Sequence, residues 1–196
     1  MARILVEQTL HDVLSSFASA APTPGGGSAC AATSAMGTAL LVKAASIAGV
    51  SPDTLAGVEA RLVAAIDADA SAYQAVMTAR KQPRDTEAER AGRTAAIQQA
   101  LRHATDVPLT ILRLSAEALT EARTLAPRVH RSTVADVTVA VMLLRAGFEG
   151  ARATVVANLG ALTDAAHTTA VKGECIRLSE EAVSCLNEAE RLLRVG

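Results

Sequence analysis

Ala21-Pro22-Thr23-Pro24-Gly25-Gly26-Gly27-Ser28 leads into residues 29–48, a stretch with almost nothing larger than Met36, Leu40 and Leu41. Two prolines and three glycines cannot sit inside a helix or a central strand, so the chain turns here, and Ser28 is placed to cap a helix beginning at Ala29. The small side chains then predict a helix against which other backbones or a flat ligand pack tightly. A helix N-terminus wrapped in glycine also carries unpaired N–H groups that a polar ligand can reach without meeting a Cβ. On these residues alone, an ordinary capped helix start is an equal reading.

Working outward, helical periodicity is nearly everywhere and strand alternation almost nowhere. Thr9 caps a short helix with the stripe Leu10, Val13, Leu14 and Phe17. Ser51-Pro52-Asp53-Thr54 separates the small-residue helix from a third helix. That helix carries Leu55, Val58, Leu62, Ile66, Asp69, Tyr73, Val76 and Met77 at alternating steps of three and four. Gln82-Pro83-Arg84-Asp85 ends it, and Thr86-Glu87-Ala88-Glu89 has the form of a capping box opening a fourth. Pro108 is expected to kink or restart that helix. A fifth element ends near Ala126-Pro127, Ser132 or Thr133 opens a sixth bearing Gly147, Gly150 and Gly160, and a last helix runs from about Thr163 to Arg194. The expected fold is all-α: one domain over residues 1–196, a bundle of about six or seven long, mostly antiparallel helices.

Composition narrows the function. Half of the 196 residues are hydrophobic but only 2% aromatic, with one Tyr and no Trp, so Ala, Val, Leu and Ile must fill the core. A net charge of −1 without a basic half argues against nucleic acid. The start Met1-Ala2-Arg3-Ile4-Leu5-Val6-Glu7 meets a glutamate too early for a signal peptide, and no apolar run escapes polar interruption at membrane-spanning length. Cys30, Cys175 and Cys185 are an odd set without metal spacing, the last two about 15 Å apart on one helix. They read as reduced thiols of a cytoplasmic protein. His11, His103, His130 and His167 share no metal-ligand spacing, and no Gly-Lys-Ser/Thr comes after the glycines to make a P-loop.

Asp69 is the leading candidate for chemistry. It interrupts an apolar stripe, where desolvation raises a carboxyl pKa toward the range useful for acid–base work. Capping a neighbouring helix or pairing with an arginine are its structural alternatives. Asp67, about 200° further round the helix, reads as a solvated acid. Tyr73, one turn beyond Asp69, either flanks a pocket or fills core with its hydroxyl at the rim. Lys43 either anchors a substrate carboxylate or snorkels at the surface. Arg80, Lys81 and Arg84 gather at a helix end, where cations favour the dipole and an anionic tail could also be received. Thr133-Val134-Ala135-Asp136 is spaced like a capping box, which accounts for Asp136 without chemistry.

Four segments recur in a familiar order: Thr23 to Leu40, Asp67-Ala68-Asp69-Ala70-Ser71-Ala72-Tyr73, Ala104-Thr105-Asp106-Val107-Pro108-Leu109, and Ala135-Asp136 leading to Ala157-Asn158-Leu159. In them the chain resembles, over nearly its whole length, the formiminotransferase-cyclodeaminase C-terminal domain family. That family includes formimidoyltetrahydrofolate cyclodeaminases and methenyltetrahydrofolate cyclohydrolases. The resemblance implies an enzyme that makes or breaks a C–N bond at a one-carbon unit on tetrahydrofolate, with no metal or organic cofactor. It implies Asp69 as the acid–base group, and Gly25, Gly26, Gly27 and Ser28 as the polarising pocket wall. Asp136 and Asn158 match substrate-side residues, Asn158 having the alternative of a buried amide satisfied by backbone. A homodimer packed helix on helix is implied as well. The chain departs from the pattern in a short Gly49-Val50-Ser51-Pro52 connection and in His130, Ala135 and Thr154, expected to cluster about the pocket. A relative acting on another amine, imine or amidine is the alternative, and a non-catalytic helical scaffold the third reading.

Overall fold

The computed structural model describes residues 4–195; Met1, Ala2 and Arg3 of the amino-terminal stretch read above lie outside them. Six α-helices make up the described chain: α1 (Leu10–Phe17), α2 (Gly26–Ile47), α3 (Asp53–Arg80), α4 (Glu87–Leu125), α5 (Val134–Leu159) and α6 (Ala165–Val195). No strand occurs among the described residues. α2 lies between α3 and α5, α4 packs on α3, α5 and α6, and α6 covers α4 and α5.

Local chemistry explains most boundaries. Thr9 caps α1 by accepting from the Asp12 N–H at 3.2 Å. Thr86 and Glu89 form the reciprocal capping box of α4. Two expectations fail at the other helix starts. Ser28 is not a cap, because α2 already begins at Gly26 with Gly25 as its N-cap, and Ser28 sits within the first turn with its hydroxyl on Ile66 O of α3 at 2.8 Å. Thr133 stands at the N-cap of α5 without capping it, since its hydroxyl turns back to His130 O at 2.9 Å.

Pro108 neither ends nor restarts a helix: α4 runs through it for 39 residues, so the expected fourth and fifth elements are one. At 1.5 Å per residue α4 is about 58 Å long. Asp67 is likewise not a solvated acid. It takes the Leu5 N–H at 2.7 Å and the Val6 N–H at 3.4 Å, pinning the 3₁₀ turn Leu5–Glu7 against α3.

The core is filled by aliphatic residues such as Leu41, Leu62, Ile111, Leu112, Leu119 and Leu144, with Phe148 the largest fully buried side chain. Burying each such side chain contributes roughly 1.5–3 kcal/mol. The α2–α5 contact is closer than such residues alone would allow. A Cβ on Gly147 would run into Ser34 Oγ and lie 3.0 Å from Cys30 O, so glycine is what lets the two backbones meet there. By length and mean hydropathy α2 could cross a membrane, although Ser34, Thr38 and Lys43 interrupt it. Here it is the central helix of the bundle, with Ala31, Leu41 and Ala44 fully enclosed.

Candidate active site

The Pro22–Gly27 loop, the last turns of α3, the middle of α4 and the end of α5 enclose a pocket of about 410 Å³. From α3 come Asp69, Tyr73, Val76 and Arg80, spaced four, three and four residues apart and therefore on one face of the helix. Opposite them stand Gly25, Gly26 and Gly27, then Leu101 and Ala104 of α4, and Thr154, Ala157 and Asn158 of α5.

The two oxygens of Asp69 are used differently. Oδ2 accepts the Ser28 N–H at 2.8 Å and lies 3.1 Å from Ser28 Oγ. Asp69 thus caps the first turn of α2 from a neighbouring helix, one of the alternatives left open by its sequence. Oδ1 has no hydrogen-bond partner among the described residues, and Asp69 lines the pocket. Burial pushes the Asp69 carboxyl above the ordinary aspartate range, and the two Ser28 hydrogen bonds oppose that rise. With Oδ2 committed as an acceptor, the proton of the acid form belongs on Oδ1, the oxygen facing the cavity.

Gly27 is what lets the carboxylate lie there. A Cβ at position 27 would overlap all three terminal atoms of Asp69, whereas one at Gly25 would meet nothing within 4 Å. The N–H groups of Gly26 and Gly27 are first-turn donors without partners among the described residues, aimed out of the helix end. Ser28 is fully buried behind Asp69 and is not part of the wall. Its single hydroxyl proton has two acceptors in reach, Ile66 O and Asp69 Oδ2. Cys30 sits half-buried in the notch left by Gly150, its thiol pushed up by burial and by the Asp69 charge.

Of the residues singled out from sequence, the fold brings Gly25, Gly26, Gly27, Asp69, Tyr73 and Asn158 to one cavity, with Ser28 supporting it. Lys43 and Asp136 are elsewhere. They pair with each other at 2.7 Å, 16 residues further along α2 than Gly27, about 24 Å away. The Gly49–Pro52 connection, His130 and Ala135 share that distant end, so the departures do not cluster about the pocket. Only Thr154 lines it.

Sequence reading missed Pro22, Thr23, Leu101, Ala104, Ala157 and Val76 as wall residues, and placed Arg80 only in a terminal cluster. Arg80 was findable: it continues the Asp69, Tyr73, Val76 stripe by one more turn. Its guanidinium makes no ion pair among the described residues, while its carbonyl takes both Arg93 Nε and an Arg93 terminal nitrogen, fixing the end of α3 to α4. No three His, Cys, Asp or Glu side chains gather as metal ligands would among the described residues.

The sequence profile of the family described as Formiminotransferase-cyclodeaminase matches residues 9–177. Methenyltetrahydrofolate cyclohydrolase of Methylorubrum extorquens is 35% identical over 194 residues, covering 92% of this chain and 93% of that protein. Formimidoyltransferase-cyclodeaminase of Sus scrofa is 31% identical over 195 residues, and there the chain spans only 35% of the relative's length. The crystal structure of formiminotetrahydrofolate cyclodeaminase from Thermotoga maritima shares the fold, with a TM-score of 0.85 over 96% of both chains at 22% identity.

Proposed function

The chain belongs to the formiminotransferase-cyclodeaminase family, and on that premise we infer that it makes or breaks a C–N bond at a one-carbon unit carried by tetrahydrofolate, with Asp69 moving the protons. The observation that carries this reading is the division of labour within Asp69: one oxygen held by α2, the other left unbonded at the pocket, with burial raising the pKa of the carboxyl.

The chemistry needs such a group. In the cyclodeaminase direction a folate nitrogen adds to the formimino carbon, giving a tetrahedral carbon. The exocyclic nitrogen gains a proton and leaves as ammonia, closing the methenyl bridge. In the cyclohydrolase direction water adds to the methenyl carbon, loses a proton, and one ring C–N bond opens to a formyl group. In the first case the proton that the attacking folate nitrogen releases passes through Asp69 Oδ1 to the departing nitrogen; in the second Asp69 Oδ1 takes a proton from the attacking water and gives it to the ring nitrogen that leaves, the remaining hydroxyl proton going to solvent as the formyl carbonyl forms. Neither step calls for a metal or organic cofactor, because proton transfer and C–N exchange already balance the reaction. The Gly26 and Gly27 N–H groups and Tyr73 border the same cavity, and Arg80 adds a free cation at its α3 end. Lys43 and Asp136 bind each other, so within one chain they are assigned to pairing α2 with α5.

Identity is higher to the cyclohydrolase of Methylorubrum extorquens, 35%, than to the equally coextensive cyclodeaminase of Thermotoga maritima, 22%, which supports the cyclohydrolase direction over ammonia release. A homodimer in the cytoplasm fits the exposed apolar side chains of Met36 on α2 and of Val139 and Met142 on α5, which a second copy would cover. A monomer mass at micromolar concentration refutes the dimer. The substrate class is tested by calorimetric titration with 5-formyltetrahydrofolate. Heat and a raised Tm are expected, and neither at millimolar ligand would move the reading to a non-folate amine, imine or amidine.

A further inference from the structure

Pro108 has no N–H, so in the unbroken α4 the carbonyl four residues earlier, Ala104 O, lacks its helical partner. Asn158 of α5 fills the vacancy, its Nδ2 donating to Ala104 O at 2.7 Å. A carbonyl only accepts, so the amide nitrogen must face it, and turning the amide over would bring two acceptors together. Ala104 and Asn158 both line the pocket, and Asn158 Oδ1 is neither buried nor hydrogen-bonded among the described residues. With any other residue at 108, a backbone N–H would occupy Ala104 O and the amide could present either end.

We propose that Asn158 is a specificity-determining residue, oriented by Pro108 so that its Oδ1 accepts a hydrogen bond from an N–H or O–H of the substrate. The helix defect and the polarity of the pocket wall are one device. Thr154, a turn away on α5, agrees with it: its hydroxyl proton goes to Gly150 O at 3.0 Å, so toward the pocket it too offers lone pairs. The α5 wall accepts, while donors come from Gly26, Gly27 and Arg80. A ligand edge carrying N–H groups, such as an amidine or an amino-substituted heterocycle, suits the α5 side, and its N-methylated counterpart does not. The inference rests on the substrate reacting beside Asp69.

A double-mutant cycle of Asn158→Ala and Pro108→Ala tests it by two readouts. In thermal unfolding, which needs no ligand, Asn158→Ala lowers Tm by leaving Ala104 O unpaired. With Pro108→Ala present the drop shrinks by more than half, because the new N–H takes that carbonyl. Additive shifts overturn the orientation. In initial rates with 5,10-methenyltetrahydrofolate, Asn158→Ala in the otherwise wild-type chain raises KM about tenfold, the equivalent of ~1.4 kcal/mol for one hydrogen bond, with kcat within about threefold, and the step is smaller in the Pro108→Ala background, where the amide is no longer oriented. An unchanged KM overturns the role in specificity. Failure of the folate reading looks different: the wild-type chain would then neither turn over this substrate nor give heat with 5-formyltetrahydrofolate, while the unfolding cycle still decides the orientation.

Discussion

The two ends of α2 are built from the same small residues and treat their polar neighbours in opposite ways. At the far end, opposite charges and hydroxyls find each other: Lys43 with Asp136 at 2.7 Å, Thr133 with His130 O, and Ser132 with the His130 ring at 2.7 Å. At the near end, Asp69 Oδ1, Asn158 Oδ1, the Gly26 and Gly27 N–H groups and the Arg80 guanidinium have no partner within the described protein. Unused hydrogen-bonding capacity, concentrated around one cavity, separates a site from a well-satisfied surface when the composition of the two is alike.

The largest effect expected from this contrast is on Asp69 itself. Asp69→Asn keeps an oxygen for the Ser28 N–H but cannot exchange the proton, so the fold should persist and kcat fall by roughly 10² to 10⁴. Full turnover in a folded variant would reduce Asp69 to a helix cap. Next comes Gly27→Ala, whose methyl group would displace the Asp69 carboxyl. A shift of about 1 Å at the reacting group costs on the order of 10²-fold. Gly57→Ala, on α3 outside the pocket, has open space around it and serves as the control, with activity within about twofold of wild type. Equal rates in the two variants would break the argument for close approach.

A third expectation concerns pH. The Asp69 carboxyl titrates higher in the folded chain than in the unfolded one, so between those two values the folded state binds more protons. Stability from this group is therefore full at low pH and lost as pH rises through the folded pKa. Asp69→Asn removes the dependence. Its Tm relative to wild type should climb with pH through that window, and parallel Tm curves would show that the carboxyl is not desolvated. The smallest effect belongs to the far end: Lys43→Ala breaks a half-exposed ion pair worth about 0–1 kcal/mol, and activity should stay within about twofold. A hundredfold loss there would mean that this end serves a pocket after all.

The all-α fold and the burial of Asp69 were legible because both are local signals: period, caps and one carboxylate in an apolar stripe. What was not legible depends on pairs distant in sequence. Pro108 reads as a break until Asn158, fifty residues on, is seen to take the carbonyl it frees. Ser28 reads as a cap until Ile66 O and Asp69 claim its hydroxyl. Lys43 and Asp136 read as two separate candidates, since nothing in either segment says that α2 and α5 lie side by side. Asp67 was judged by its angle from Asp69 alone, and the chain's own amino-terminal turn supplies its partners.

Tyr73 on the pocket wall has a practical consequence. The chain has one tyrosine and no tryptophan, so its ultraviolet emission under tyrosine excitation comes from a phenol bordering the cavity. A ligand that stacks on that ring or absorbs at its emission wavelength should quench nearly the whole signal, with no background from the rest of the bundle. Occupancy could then be followed optically in the unmodified protein, in stopped flow as readily as at equilibrium, and Tyr73→Phe would be the blank.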